Sequence, residues 1–211
     1  MVPNGVEPHF FTIERRLPQS PPRFLFLGTW IARKGTEELA AAVRSHPELR
    51  VTVAGAGSDN PGLAVEWTPH VQRESLPALL GEHDVLVLPS LFEGMPLAAL
   101  EAAAAGMAVI GTDIGGTVDI FGDDGAGGAV IIQPGDGNAL AAAMIDLHWN
   151  PHRIATLQLT ARDTARRFTW RCSAELALQA YQYGASCRRD RRHERSGPRH
   201  SLDDEGKDDM K

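Results

Sequence analysis

The sequence predicts an α/β fold in which a Rossmann-like parallel sheet carries helices on both faces. Short runs of apolar or β-branched residues alternate along the chain with helical patterns. This alternation is typical of parallel strands joined by crossover helices. Several of the runs are apolar at every position, as in VLVL from Val85, which indicates central strands buried on both faces.

The elements follow from local signals along the chain. Thr36 opens a helix with a glutamate directly behind it, and Gly106 ends the helical stretch PLAALEAAAAG. A threonine at a helix start and a glycine after its end are common boundary signals. The predicted strands are 24–27, 50–54, 65–67, 85–88, 109–112 and 130–132, and the later helices are 138–148, 151–168 and 170–183.

The chain divides into three predicted segments. Residues 1–22 include the proline-rich stretch LPQSPP, whose prolines favour an extended path, so this segment is expected to be a linker. Residues 23–184 contain every predicted strand and form the expected globular domain. Residues 185–211 are highly charged and nearly free of apolar side chains, so a disordered tail is expected there.

Composition argues against several classes of protein. The net charge is −6, whereas proteins that bind nucleic acid through its phosphates normally carry an excess of Lys and Arg. The sequence has no long apolar run and no signal peptide at its start, so we expect a cytoplasmic protein with no membrane span. Two cysteines, Cys172 and Cys187, have no spacing suited to a disulfide or a metal.

The most informative stretch is PSLFEGMPLAALEAAAAGMAVIGTDIGGTVDIF at 89–121, which predicts strand, turn, helix and strand. Pro96 suits the first turn of the helix. The free amides at a helix start, together with the helix dipole, form a site for phosphate. The amides expected to contribute belong to Gly94, Met95, Leu97 and Ala98.

Two glutamates, Glu93 and Glu101, stand eight residues apart in this stretch. The stretch as a whole resembles the donor-domain signature of glycosyltransferase family 4. The resemblance implies the C-terminal half of a retaining GT-B glycosyltransferase of the hexosyltransferase type, which holds a nucleoside-diphosphate sugar. It implies Glu93 beside the sugar as a catalytic residue, and Glu101 accepting hydrogen bonds from a ribose diol. Without the family resemblance, the two glutamates would be weak evidence for a binding site, because a glutamate near a helix start stabilises any helix.

The stretch FLFLGTWIARKG at 24–35 resembles the family's first strand and glycine-rich turn. The resemblance places Gly28 at the donor and Lys34 on its phosphates, as a second catalytic residue. Thr29 departs from the family, which usually has an arginine directly after the glycine. Arg33 is a candidate to replace that arginine, although its guanidinium is displaced along the loop.

Further resemblance lies in VTVAGAGS from Val51 and in GTDIGGTVDIF. Paired glycines, Gly115 and Gly116, are expected to let the backbone approach the donor. By position in the family pattern, the nucleobase is expected near the segment WTPH at 67–70. His83 and Asp84 precede a buried strand and are expected to be surface groups without a catalytic role.

The two ends of the resemblance suggest that the chain is one half of a larger enzyme. VPNGVEPHFF resembles the segment that enters the family's second domain, and FTWRCSAELALQAYQYG resembles its closing helix. We therefore expect that the N-terminal acceptor domain is missing, that residues 1–22 are the remnant of an interdomain linker, and that the closing helix exposes apolar surface.

Two interpretations of function remain open. The first is a glycosyltransferase that works without metal or cofactor, either with a separate acceptor-domain chain or as a homo-oligomer. The second is a noncatalytic nucleotide-sugar-binding module or a truncated gene product. An oxidoreductase is disfavoured because GTWIARKG lacks the G-x-G-x-x-G turn, and an ATPase because the chain has no phosphate loop of the G-x-x-x-x-G-K-[ST] type. An epimerase of the same architecture stays possible.

Overall fold

The computed structural model describes residues 2–55 and 62–195, with side chains described as far as residue 183. The glycine turn after the second predicted strand therefore lies mostly outside the described residues. The chain divides into two compact units, Met1–Ser173 and Ala174–Lys211. The sheet and the candidate site belong to the first unit.

The first unit is built on a six-stranded sheet in which every neighbouring pair of strands is parallel. The predicted strands are confirmed, with ends that differ from the prediction by at most one residue. The strands are β1 Arg23–Leu27, β2 Arg50–Ala54, β3 Glu66–Thr68, β4 Val85–Leu88, β5 Ala108–Thr112 and β6 Ala129–Ile132. The spatial order is β3-β2-β1-β4-β5-β6, the doubly wound order of Rossmann-like folds.

Helices cover both faces of the sheet, as predicted. The helices are α1 Thr36–Ser45, α2 Leu76–Gly81, α3 Leu97–Ala104, α4 Gly115–Phe121, α5 Gly137–Trp149, α6 Pro151–Ala165 and α7 Trp170–Arg195. Alternate residues of β4 enter different cores: Val85 and Val87 pack with α1 and α5, whereas Leu86 and Leu88 pack with α2, α3 and α6. The run is apolar throughout because both faces are covered.

Helix α3 lies between the sheet and α6 and is buried on nearly every side. Ala99, Ala102 and Ala103 are fully buried, and α3 contacts both α6 and β5. Alanine side chains add little bulk, so the helix axis can approach both neighbours closely. The alanine-rich composition therefore has a packing explanation.

Helix α7 continues past Gly184, the point where we expected ordered structure to end. Its backbone is helical as far as Arg195, and the arginine-rich sequence is compatible with this because arginine has a high helix propensity. Residues 196–211 of the predicted disordered tail lie outside the described residues. Leu178 and Tyr181 on α7 are exposed, in agreement with the apolar surface predicted for the closing helix.

The predicted linker at 1–22 packs against the domain instead of standing free. Phe10 is fully buried within a short 3-10 helix at Pro8–Thr12. The Val6 amide donates to the Phe168 carbonyl at 2.9 Å, and an Arg162 guanidinium nitrogen donates to the Phe11 carbonyl. The apolar side chains of this segment thus complete the core beside α3.

His83 and Asp84 are buried, so the expectation that they are surface groups is wrong. His83 Nδ1 lies 2.7 Å from the Leu79 carbonyl oxygen and Nε2 lies 2.7 Å from Thr52 Oγ1. Asp84 accepts the Arg23 amide at 2.9 Å. Burial lowers the pKa of His83. Both residues connect the start of β4 to neighbouring elements through hydrogen bonds. Their role is therefore structural, at the amino edge of the sheet.

Replacement of Phe10 by alanine tests whether residues 1–22 belong to the folded unit. Phe10→Ala should lower the free energy of unfolding by about 3–5 kcal/mol, because it removes a fully buried ring and leaves a cavity. Leu17→Ala is the matched control in the same segment, since the Leu17 side chain is 86% exposed, and it should change stability by no more than about 0.5 kcal/mol. Urea denaturation measures both; equal, small effects would contradict the packed arrangement.

Candidate functional site

The candidate site lies at the carboxyl edge of the sheet, where β1 and β4 are neighbours. The order of the strands reverses direction between these two, because β2 and β3 extend to one side and β5 and β6 to the other. Ligands of open parallel sheets bind at such a switch point, beyond the carboxyl ends of the strands. Lys34 and Glu93 lie in the loops that follow β1 and β4.

These two loops are packed tightly against each other. Gly35 has a left-handed backbone with φ of 70°, and a Cβ at this position would lie 1.9 Å from the Pro89 carbonyl oxygen. Only glycine allows both the conformation and the approach. The Leu91 amide then donates to the Arg33 carbonyl at 2.9 Å, so the loop after β1 has a defined position on the loop after β4.

The structure brings the two predicted catalytic residues into direct contact. Lys34 Nζ donates to Glu93 Oε1, and Ser90 Oγ donates to the same oxygen at 3.0 Å. Ser90 is fully buried, and its carbonyl accepts the Thr112 hydroxyl at 2.6 Å. Oε1 of Glu93 therefore accepts two hydrogen bonds, whereas Oε2 accepts none from the described part of the chain.

The start of α3 presents unused backbone donors beside this ion pair. Pro96 is the N-cap, with φ of −73° and ψ of 111°, so its predicted place in the first turn is wrong by one position. Its extended ψ is not helical, which leaves the turn to begin at Leu97. Within the described residues, hydrogen bonds are absent from the amides of Gly94, Met95, Leu97 and Ala98.

The N-terminal segment holds this loop from the other side. Asn4 Nδ2 donates to the Met95 carbonyl at 2.9 Å, and the Asn4 amide lies 3.1 Å from Met95 Sδ. Sequence reasoning missed Asn4 as part of the site because 91 positions separate the two residues. The contact fixes the Met95 carbonyl, whose peptide unit leads into Pro96 at the start of α3.

The three other predicted glycines differ in their surroundings. A Cβ at Gly116 would lie 1.3 Å from the Gly94 carbonyl oxygen, whereas a Cβ at Gly28 or Gly115 would meet no atom within 4 Å. Gly116 is therefore explained by the packing of α4 on the loop after β4. Gly28 and Gly115 border open space, so close approach of their backbone to a donor remains a prediction for these two.

The remaining predicted donor residues lie around this edge. Thr29 and Arg33 are exposed, and Leu97 is partly exposed at the start of α3. Their side chains make no hydrogen bond or ion pair with the described part of the chain. Trp67 and Thr68 are half-buried at the end of β3, and Pro69 and His70 are exposed after it. Their predicted contact with a nucleobase stays a prediction.

Glu101 is buried on the second turn of α3 and is paired with a residue that the sequence analysis did not identify. Arg73 Nη1 lies 3.2 Å from Glu101 Oε1, and Arg73 Nη2 lies 2.8 Å from Glu7 Oε1. Burial raises the pKa of Glu101, and the nearby Arg73 partly offsets that rise. Arg73 follows β3 in a short 3-10 helix at Arg73–Ser75, and no local motif marks it.

Comparison with known proteins agrees with this geometry. The family described as "Glycosyl transferases group 1" matches residues 21–150, a range that includes the sheet and both charged pairs. The chain belongs to this family. It is therefore related to enzymes that transfer sugars, and the fold is that of GT-B glycosyltransferases, as the resemblance implied.

Relatives and structures of group 1 glycosyl transferases match most of the chain. Glycogen synthase of Mycobacterium tuberculosis is 31% identical over 201 residues, which is 86% of this chain and 47% of that protein. Sucrose-phosphate synthase from Thermosynechococcus elongatus superposes with a TM-score of 0.72 at 24% identity, over 88% of this chain and 52% of that one. The C-terminal domain of the group 1 protein LpcC from Francisella tularensis gives a TM-score of 0.64 at 20% identity, over 77% of this chain and 97% of that domain.

The chain spans about half the length of the curated relatives it matches. Among the described residues, no helix is both long and apolar enough to cross a membrane, and no group of three acidic, histidine or cysteine side chains is placed to hold a metal ion. Cavities of about 620, 680 and 270 Å³ lie at the amino edge of the sheet. None of them is lined by a predicted site residue.

Substitution of the paired glycines tests the packing at the site. Gly116→Ala should destabilise the fold by about 1–3 kcal/mol, because the added Cβ forces α4 away from the Gly94 loop. Gly115→Ala is the matched control in the same helix; its Cβ enters open space, and it should be neutral or stabilise by up to about 1 kcal/mol. Urea denaturation of the two variants gives the comparison, and equal effects would refute the packing explanation for Gly116.

Proposed function

We propose that the chain binds a nucleoside-diphosphate sugar at the carboxyl edge of β1 and β4, as the donor site of a retaining sugar transfer. The observation that carries this proposal is the Lys34–Glu93 pair beside the unused amides at the start of α3. A cation and helix-start amides suit a diphosphate, and a carboxylate suits the hydroxyl groups of a sugar. These groups meet at the switch point of the sheet, where ligands of this fold bind.

In the proposed complex, the diphosphate accepts hydrogen bonds from the amides of Gly94, Met95, Leu97 and Ala98. Lys34 leaves Glu93, at least in part, and donates to a phosphate oxygen. The leaving diphosphate gains negative charge as the sugar departs, so fixed donors aimed at it lower the barrier to transfer. Ser90 still holds Glu93 Oε1, and Oε2 is left to accept from a sugar hydroxyl.

Glu101 serves the nucleoside end of the same ligand. It lies on α3, one turn beyond the amides proposed for the phosphates, and a carboxylate can accept both hydroxyl groups of a ribose diol. Because the carboxylate is buried, those hydrogen bonds form away from competing water. The nucleobase then extends toward the residues that follow β3.

Thr29 favours a second candidate function, donor binding without transfer. This exposed residue carries no charge, whereas the family resemblance implies an arginine at its position. With one cation fewer on the diphosphate, the leaving group is stabilised less. A donor hydrolysis assay beside a binding titration separates the two: turnover supports the enzyme, and binding without turnover supports the binding module.

Calorimetric titration with UDP, GDP and ADP and their glucose conjugates tests the site. We expect one nucleoside diphosphate to bind, and Glu101→Ala to weaken it about tenfold or more, because hydrogen bonds to a charged group are lost. Asp163→Ala is the control, since this carboxylate lies on α6 and its side chain is 74% exposed. Failure of the wild-type chain and all variants to bind any of these ligands would refute the proposal.

Glu93→Ala should separate the sugar end of the site from the phosphate end. The affinity for the sugar-bearing ligand should fall about tenfold relative to the bare nucleoside diphosphate, because a charged hydrogen-bond acceptor for the sugar is lost. Affinity for the bare ligand should stay constant or rise, since Lys34 loses its competing partner. A uniform loss for both ligands would contradict the role assigned to Glu93.

A further inference from the structure

Arg73 bridges two carboxylates that belong to distant parts of the chain. Its Nη1 lies 3.2 Å from Oε1 of Glu101 and its Nη2 lies 2.8 Å from Oε1 of Glu7. The Arg73 side chain is 56% exposed, whereas that of Glu101 is only 8% exposed. One guanidinium nitrogen is therefore used on each carboxylate, and the arginine reaches the buried one from the solvent side.

The pairing with Arg73 conflicts with the role of Glu101 toward a ribose. In the described part of the chain, Glu101 takes its side-chain hydrogen bond from Arg73. A diol that donates two hydrogen bonds would need both carboxylate oxygens. Buried carboxylates are costly without a partner. Arg73 is that partner for Glu101, and a bound diol would have to replace it there.

We propose that Arg73 determines nucleoside specificity by competing with the ligand's vicinal diol for Glu101, and that Glu7 tunes this competition by holding the displaced guanidinium. The inference rests on the proposed function, since it requires the diol to bind at Glu101. A ligand with two adjacent hydroxyls displaces Arg73, whereas a ligand that lacks them leaves Arg73 on Glu101. The contact thus lowers the preference of this site for ribonucleotides, because only a ligand with the diol has to displace Arg73.

Glu7 is well placed to receive the displaced arginine. Its neighbour Val6 is buried and is bound through its amide to the Phe168 carbonyl at 2.9 Å, so the backbone that carries Glu7 has a defined position. In the bridged state Glu7 accepts from only one nitrogen of Arg73. Once Nη1 leaves Glu101, it can turn to Glu7 Oε2, where it competes with His9 Nδ1 at 3.2 Å. A bidentate pair between arginine and a carboxylate is stronger than a single hydrogen bond. Glu7 therefore stabilises the displaced state more than the bridged state.

Substitution of Arg73 and substitution of Glu7 should have opposite effects on the preference for a ligand with a diol. Arg73→Ala removes the competitor, so preference for a diol should rise about three- to tenfold, the range expected from an ion pair of roughly 1 kcal/mol with one exposed partner. Glu7→Gln removes the carboxylate that receives Arg73, so preference for a diol should fall about two- to threefold. Arg166→Ala is the control, because Arg166 pairs with Asp163 away from the site, and it should leave the preference unchanged.

The experiment compares dissociation constants of UDP, GDP and ADP with those of their 2′,3′-dideoxy counterparts, by calorimetry on the full chain. The readout is the dissociation constant of the dideoxynucleotide divided by that of the ribonucleotide with the same base. Each variant also changes the net charge near an anionic ligand, but that effect is common to both members of a pair and cancels in the ratio. Circular dichroism checks that each variant is folded.

The outcomes separate this inference from the proposed function. Opposite shifts of the ratio in Arg73→Ala and Glu7→Gln support it, as does binding of a ribonucleotide by Arg73→Ala when the wild-type chain binds none. Wild-type binding with shifts of the same sign, or with no shift in either variant, would overturn the competition but leave donor binding intact. Absence of binding by the wild-type chain and by both variants would overturn both proposals. If Arg73→Ala does not fold, Glu7→Gln and Arg73→Gln provide the same comparison.

Discussion

The adjacency of β1 and β4 in a wholly parallel sheet is the constraint that creates the candidate site. Because the two strands run side by side in the same direction, the loops that leave them meet at one edge. The approach of Gly35 to the Pro89 carbonyl and the hydrogen bond from Leu91 to Arg33 keep these loops in contact. Lys34 and Glu93 meet because of this backbone arrangement.

The candidate site is made of charged groups that pair with one another. Lys34 pairs with Glu93, and Arg73 pairs with Glu101. Buried carboxylates need partners, and these internal pairs supply them, so a sugar nucleotide bound as proposed would have to replace them. The net affinity for a ligand is then the difference between two sets of contacts, and the internal ones bear on specificity as much as the external ones do.

The N-terminal segment is part of this arrangement. Asn4 holds the Met95 carbonyl and Glu7 holds Arg73, so two residues near the start of the chain reach the phosphate end and the nucleoside end of the proposed site. Their register is set by buried neighbours, Val6 and Phe10. A movement of this segment relative to the sheet would therefore alter both ends of the site together.

The sequence by itself determined the strands, several helix boundaries, the family, and the places of Lys34 and Glu93 in the loops after β1 and β4 and of Glu101 on α3. These features are local: strand runs, caps and motifs are read within a few neighbouring residues. Only the tertiary structure decided that Gly116 serves packing, that His83 is buried, that residues 1–22 complete the core, and that Arg73 and Asn4 belong to the site. Those facts depend on contacts between residues far apart in the chain, such as the 91 positions between Asn4 and Met95. A pattern of neighbouring residues carries no information about which distant groups share a buried charge.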